Sequence, residues 1–270
     1  MFHVVLFRLR YGIRVSALAF VICPGLAVAQ SFTHVHLRAP DPAAAAEWYH
    51  TLVGGNLQTS VESMNSVVQI HGSISTMLDD AGAEPSSGGV IDHFGFSVAD
   101  VPAMVEKAKV MGAEVVSEPY RGITTNMIAM IQDPWGTKIE LLEDPSFIGI
   151  QHVHMITEDV ELLRDWFLAV FGGDYDPERG GDRIHAIRYD GSWLYFSESE
   201  EGGTLPSRGR SLDHMGFSVS DMSEVVAKIQ GSGYEPYVIR PDRPGGTTLL
   251  MFFEGASGIH FEISQPGSAQ

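Results

Sequence analysis

Apolar and polar residues alternate along Phe32-Thr33-His34-Val35-His36-Leu37, the two-residue period of a strand with one buried face. Asp41-Pro42 follows with helix-start chemistry: a side-chain acceptor at the cap, then a ring suited to the first helical position. The spacing predicts a helix over 43–53, closed by Gly54-Gly55. Short alternating runs predict strands at 66–70 and 73–78. A loop rich in Gly, Pro and Ser, 79–89, leads into a second unit. There the pattern predicts a strand over 91–98, a helix capped by Asp100 and running to Met111, and strands near 114–117, 126–132 and 138–142. Asp133-Pro134-Trp135-Gly136 supplies the turn between the last two.

The same grammar starts again at Gln151. His152-Val153-His154 repeats His34-Val35-His36 at a shift of 118, Trp166 repeats Trp48, and Gly172-Gly173 repeats Gly54-Gly55. The loop 201–211 is the counterpart of 79–89, with Pro206 matching Pro85. A fourth unit runs over 212–264, and 265–270 reads as a loose tail. Laid on 91–114 at a shift of 121, residues 212–235 agree at 11 of 24 positions, including Asp-His-x-Gly-Phe-Ser-Val-x-Asp at 92–100 and 213–221. The chain is a duplication, with a hinge at 143–149 and two halves, 30–146 and 147–270. A sheet with a helix on one face leaves its other face bare, so units must pair. The fold class expected is α+β: four βαβββ modules paired into two cup-shaped half-barrels, one per half.

Alternation also sorts the polar residues. Phe94 and Phe96 oppose His93 and Gly95; Met215 and Phe217 oppose His214 and Gly216; Val35 and Val153 oppose the histidines beside them. The apolar side must pack on the helix, so the histidine side lines the cup. On the closing strands, Ile139 and Leu141 oppose Lys138 and Glu140, and Phe261 and Ile263 oppose His260 and Glu262. Each half thus offers two imidazoles and a carboxylate: His34, His93 and Glu140, then His152, His214 and Glu262. Such a set holds a divalent metal and leaves positions open for substrate. A buried glutamate without a partner is costly, and a cation between it and two histidines removes that cost.

The first 29 residues change the inventory. Arg8, Arg10 and Arg14 precede an apolar run ending in Ala27-Val28-Ala29, the form of a cleaved signal peptide (1–29). The run is too short to span a bilayer and is broken by Pro24-Gly25. Cleavage predicts a periplasmic or secreted protein. It would remove Cys23, the single cysteine, so metal donors must be nitrogen and oxygen. It would also leave 14 basic residues against 34 acidic ones, a net charge of −20. That charge excludes nucleic acid and anionic membrane as partners and disfavours a polyanionic substrate. The expected partner is a small-molecule substrate; a homodimer stays open.

Ile91-Asp92-His93-x-Gly95-Phe96, Trp48-Tyr49-x-x-Leu52-x-Gly54-Gly55 and Asp133-Pro134-x-Gly136-x-Lys138-Ile139-Glu140-Leu141 resemble the vicinal oxygen chelate superfamily, the glyoxalase, bleomycin-resistance and extradiol dioxygenase group. The resemblance covers 32–264. It implies the βαβββ fold, ligands on the first and last strands of paired modules, and a divalent ion (Fe, Mn, Zn or Ni). The reaction class is left open, because one fold hosts many chemistries. Glyoxalase-type members resemble a four-ligand arrangement. Counting from Gly72 and Gly191 puts Thr76 and Tyr195 at the fourth position, which suggests three ligands here. Extradiol dioxygenases place a tyrosine about ten residues before the glutamate, where this chain has Leu250-Met251-Phe252-Phe253. His185 is a loose match to their additional histidine.

Other residues admit two readings. His36, His154 and His260 are acid–base or supporting groups, or polar lining of a wet cavity. Tyr195 is a donor to an oxyanion, or cavity wall. Lys138 reads as an unremarkable polar residue and Arg121 and Arg240 as surface charge, although these two arginines occupy similar loops and could steer a carboxylate. Trp48 and Trp166 read as core. His3 and His50 carry no signal, and His71 and His185 follow no repeat register. The expectation is an exported metalloenzyme of lyase or isomerase type that chelates neighbouring oxygens. A ring-cleaving dioxygenase and a non-catalytic small-molecule-binding protein are the alternatives.

Overall fold

The computed structural model describes residues 30–59, 65–70, 72–78, 83–189, 192–199, 204–242 and 245–267. The expected leader, His3 and His71 lie outside the described residues. Four βαβββ units follow one another, as the alternation predicts. The first is β1 (Gln30–Ala39), α1 (Pro42–Val53), β2 (Asn56–Thr59), β3 (Asn65–Ile70) and β4 (Gly72–Leu78). The second is β5 (Ile91–Ser97), α2 (Val101–Val110), β6 (Glu114–Tyr120), β7 (Ile128–Gln132) and β8 (Lys138–Leu142). The third is β9 (Gly149–Thr157), α3 (Val160–Phe171), β10 (Asp174–Asp176), β11 (His185–Tyr189) and β12 (Ser192–Glu198). The fourth is β13 (Leu212–Val219), α4 (Met222–Gly231), β14 (Val238–Pro241), β15 (Leu249–Glu254) and β16 (His260–Gln265). Asp41, Asp100, Asp159 and Asp221 each cap a helix, their side chains accepting from backbone N–H groups of the first turn. Strand β2, Asn-Leu-Gln-Thr, has one apolar residue and hence no alternation to announce it; pairing with β3 makes it a strand.

The units do not pair within halves. One eight-stranded sheet runs β14-β15-β16-β13-β1-β4-β3-β2 and joins the first unit to the fourth. The other runs β10-β11-β12-β9-β5-β8-β7-β6 and joins the second to the third. Strands β1 and β13 are antiparallel, as are β5 and β9. The expected grouping of His34 with His93 and Glu140, and of His152 with His214 and Glu262, is therefore corrected. All four first strands carry the same pattern, so either pairing satisfies local alternation. Contacts between the loops accompany the observed choice. The two inter-unit loops lie side by side, bridged at Glu84↔Arg210 and Gly89↔Leu205, with Arg210 Nη1 donating to the Pro85 carbonyl at 2.7 Å.

Within a half, neighbouring units are held through their helices instead. Trp48 Nε1 donates to the Met111 carbonyl beyond α2, and Trp166 Nε1 to Ser232 Oγ beyond α4. Both tryptophans are core, as expected, in a single apolar cluster that includes all four helices and both sheets. The halves differ beside them. Tyr49 donates to buried Asp133 Oδ2 at 2.5 Å, whereas Phe167, at the corresponding place on α3, packs on Phe196 and Phe261.

Candidate metal centres

The first strands present their histidines on the face away from the helices. In the β5–β9 sheet this brings His93, His152 and His154 together, with ligand atoms within 4.8 Å of one another. Glu140 reaches in from β8, its Oε2 3.6 Å from His93 Nε2. In the β1–β13 sheet His34, His36, His214 and Glu262 converge within the same limit. There Glu262 Oε2 lies 4.0 Å from His34 Nε2, 3.9 Å from His36 Nδ1 and 3.6 Å from His214 Nε2. All six expected ligands are thus brought into two clusters, each drawing on both halves of the chain. His36 and His154, expected beside the metals, sit inside the clusters.

The repeated motif Asp-His-x-Gly has a part for each residue. Asp92 Oδ1 is 2.6 Å from His93 Nδ1, and Asp213 Oδ1 is 2.6 Å from His214 Nδ1. A carboxylate there fixes the tautomer and turns the other nitrogen toward the cluster. The glycine makes room. A Cβ on Gly95 would lie 2.0 Å from the His152 ring, and one on Gly216 2.1 Å from the His34 ring. Each motif therefore supplies one histidine and the space for the histidine of the partner unit. The aspartates and glycines stood in the repeat without an assigned role. Their signal was that they recur in register with the histidine.

The residues fit a bound cation. Nε2 of His93, Nε2 of His152 and Nδ1 of His154 are buried with no hydrogen-bond partner, as is Nε2 of His36. Buried polar atoms are rarely left so. Burial pushes His152 down to about 3 and His34 to about 4, and holds His36 and His154 well below the usual imidazole range. These rings are neutral, the form that ligates metal. Burial also opposes charge on His93 and His214, but their flanking carboxylates outweigh it and raise both. Glu140 and Glu262 are lowered despite burial, by the imidazoles facing them. Nitrogen and oxygen donors of this kind suit Fe, Mn, Zn or Ni.

Several residues take places that the sequence did not assign. Lys138 is no idle polar residue: its Nζ is 2.6 Å from Asp92 Oδ1, behind His93. His260 is its counterpart, with Nδ1 2.7 Å from Asp213 Oδ1 and Nε2 bonded to the Tyr237 hydroxyl. His260 therefore backs His214 through Asp213, which Arg38 Nε also grips at 2.7 Å. His185 stands away from the clusters and contacts Arg164 and Tyr175. The counted equivalence of Thr76 and Tyr195 is off by one. Tyr195 lies across from His154, while the residue across from His36 is Ser75. A one-residue slip exchanges the faces of a strand.

Tyr195 is buried and stacked on His152, ring centroids 4.4 Å apart. Its hydroxyl accepts from Arg179 Nε at 2.5 Å. Burial raises its pKa, against the lowering pull of Arg179. A cavity of about 330 Å³ opens here, lined by Tyr120, Ile128, Glu140, His154, Ile184 and Tyr195 among others.

Residues 31–141 match the model of the Glyoxalase/Bleomycin resistance protein/Dioxygenase superfamily. No curated protein matches the chain closely enough to count as a relative. Among solved structures, glyoxalase I from Zea mays superposes with a TM-score of 0.70 at 16% identity, covering 88% of this chain and 93% of that one. A Bacillus subtilis protein named as a candidate dioxygenase superposes with a TM-score of 0.65 at 13% identity, covering 88% and 86%. At such identities the likeness is one of fold. By sequence, residues 31–141 resemble the glyoxalase, bleomycin-resistance and dioxygenase superfamily, and the paired βαβββ architecture of the described chain is the fold it shares with glyoxalase I.

Proposed function

We propose that this protein is an exported, metal-dependent enzyme of lyase or isomerase type. It would act on a small substrate with two neighbouring oxygens, and its working cup would be the one built on β5, β8, β9 and β12. One observation carries the reading: three buried imidazole nitrogens without partners converge beside Glu140 at the wall of a cavity large enough for a small molecule. His93, His152 and Glu140 would hold the ion. When bound, it supplies Lewis acidity toward the substrate oxygens.

The chain's own residues supply the rest. Asp92 and Lys138 keep the His93 ring in place. His154 lines the cavity, with Nε2 2.7 Å from Ser197 Oγ, and its buried, unpartnered Nδ1 stays neutral and would accept a hydrogen bond from a group held at the ion. The Tyr195 hydroxyl accepts from Arg179 at the cavity wall, and its own proton, turned toward substrate, would stabilise a developing oxyanion. Ile128 and Ile184 keep water from that face of the site. The arginine-led, apolar leader supports export.

The test is elemental analysis of purified protein together with oxygen uptake on catechols. Bound metal that is reduced in His93→Ala, with no oxygen consumed, is the expected result. Oxygen consumption would favour the ring-cleaving dioxygenase. A metal-free protein that still binds small molecules would overturn the enzyme reading in favour of a binding role.

A further inference from the structure

We propose that the cavity beside Glu140 takes a small monoanion, a carboxylate on an apolar body, held by Arg121 and Arg183; this rests on the reading of that cavity as the substrate site. Arg121 directly follows β6, and Arg183 lies in the connection from β10 to β11. Those are the two outermost strands of an eight-stranded sheet, yet both arginines line one cavity. Curling of the sheet brings its two edges to the same opening.

Neither arginine has a carboxylate or a side-chain hydrogen-bond partner among the described residues. Arg38, Arg164 and Arg208, by contrast, each hold an acid, at 2.7, 2.8 and 3.0 Å. Acids outnumber basic residues 34 to 17 in this chain, so two uncompensated guanidiniums at one opening run against the background. The one acid in the cavity wall, Glu140, faces His93 instead. A guanidinium offers forked donors that match a carboxylate, and its field draws an anion in against the overall negative charge. The same wall that carries the arginines and Glu140 also carries Ile123, Ile128 and Ile184. The ligand that satisfies this lining has a charged end at the rim, an apolar middle, and its reacting oxygens inward. Arg240 does not share this arrangement; it turns to the carbonyls of Pro241 and Asp242.

Isothermal titration with phenylacetate and its uncharged isostere phenylacetamide tests the assignment, in wild type and in the Arg121→Gln/Arg183→Gln double variant. Wild type should bind the carboxylate about tenfold more tightly or better, the range of a charge-assisted hydrogen bond. The double variant should lose that preference while its affinity for the amide and its metal content stay unchanged. Equal binding of the two ligands by wild type, a preference that survives in the double variant, or no measurable binding of phenylacetate would each overturn the proposal. Repeating the titration after chelator treatment separates the two readings. A chain that contains no metal yet prefers the carboxylate through these arginines defeats the metal reading and keeps this one. A preference that vanishes with the metal and ignores the arginines does the reverse.

Discussion

The two cups began as copies and have kept their donors while changing what stands behind them. In the β5–β9 cup, Asp92 is backed by Lys138; in the β1–β13 cup, Asp213 is backed by Arg38, the Gly209 amide and a His260–Tyr237 pair. Burial would raise both aspartates, yet the hydrogen bonds to His93 and His214 first, then Lys138 in one cup and His260 and the Gly209 amide in the other, hold both well below the usual carboxylate range. Tyr195 and its Arg179 partner belong to the β5–β9 cup. The comparison teaches that the Asp-His-x-Gly core is the fixed part of the duplicated unit. The residue two before each glutamate, lysine in one cup and histidine in the other, is where the copies diverge.

The largest effect expected within one cup is on turnover. Tyr195→Phe removes the hydroxyl proposed to stabilise the oxyanion and should lower kcat about 100-fold, with metal content unchanged. Initial-rate kinetics on any substrate found for the protein checks this, and a change confined to KM would contradict it. Next come the aspartates. Asp92→Asn should weaken metal at the β5–β9 cup about 10- to 100-fold, and Asp213→Asn should do so at the other. Competition against a chromophoric chelator reads both. Equal weakening of both cups by either variant would show that the cups are not independent.

The glycines sharpen the comparison further. Gly95→Ala forces a methyl group into the His152 ring and should cost about 1–3 kcal/mol of stability. Gly216→Ala should do the same through His34. Urea denaturation measures the loss, and chelator competition should show each variant affecting its own cup. The smallest effect expected is a pH slope. Burial pushes Asp133 up to about 6, against hydrogen bonds that lower it. A carboxyl whose folded pKa exceeds its unfolded value binds more protons when folded, so its contribution is full below about 4 and is lost as pH rises through about 6. Relative to Asp133→Asn, wild type should therefore lose stability between pH 4 and pH 7. The opposite half, with Phe167 in place of Tyr49, has no such titrating pair. A parallel pH profile for wild type and variant would refute this.

Much of this was legible in the sequence. Alternation along Phe32–Leu37 and its three repeats predicts the four units and the face on which each histidine lies. Charge and position predict the two glutamates. The choice of partner unit was not legible, because His34 and His152 sit in interchangeable patterns, and the contacts that accompany the observed pairing join loops 84–90 and 204–211, far apart in the chain. Lys138 looked ordinary because its value depends on Asp92, 46 residues away in the chain. Arg121 stood out only as the loop counterpart of Arg240 and Arg183 carried no signal; the curl of the sheet is what brings the two to one cavity.

The central claim is that each metal centre is assembled from both halves of the chain. Metal per chain, measured by elemental analysis on three double variants, tests it directly. His93→Ala/His152→Ala and His34→Ala/His214→Ala should each abolish one centre and leave the other filled. His34→Ala/His93→Ala, both in the first half, should impair the two centres together. If that last variant instead lost a single centre and kept the other intact, the donors would be grouped by halves and the account would be wrong.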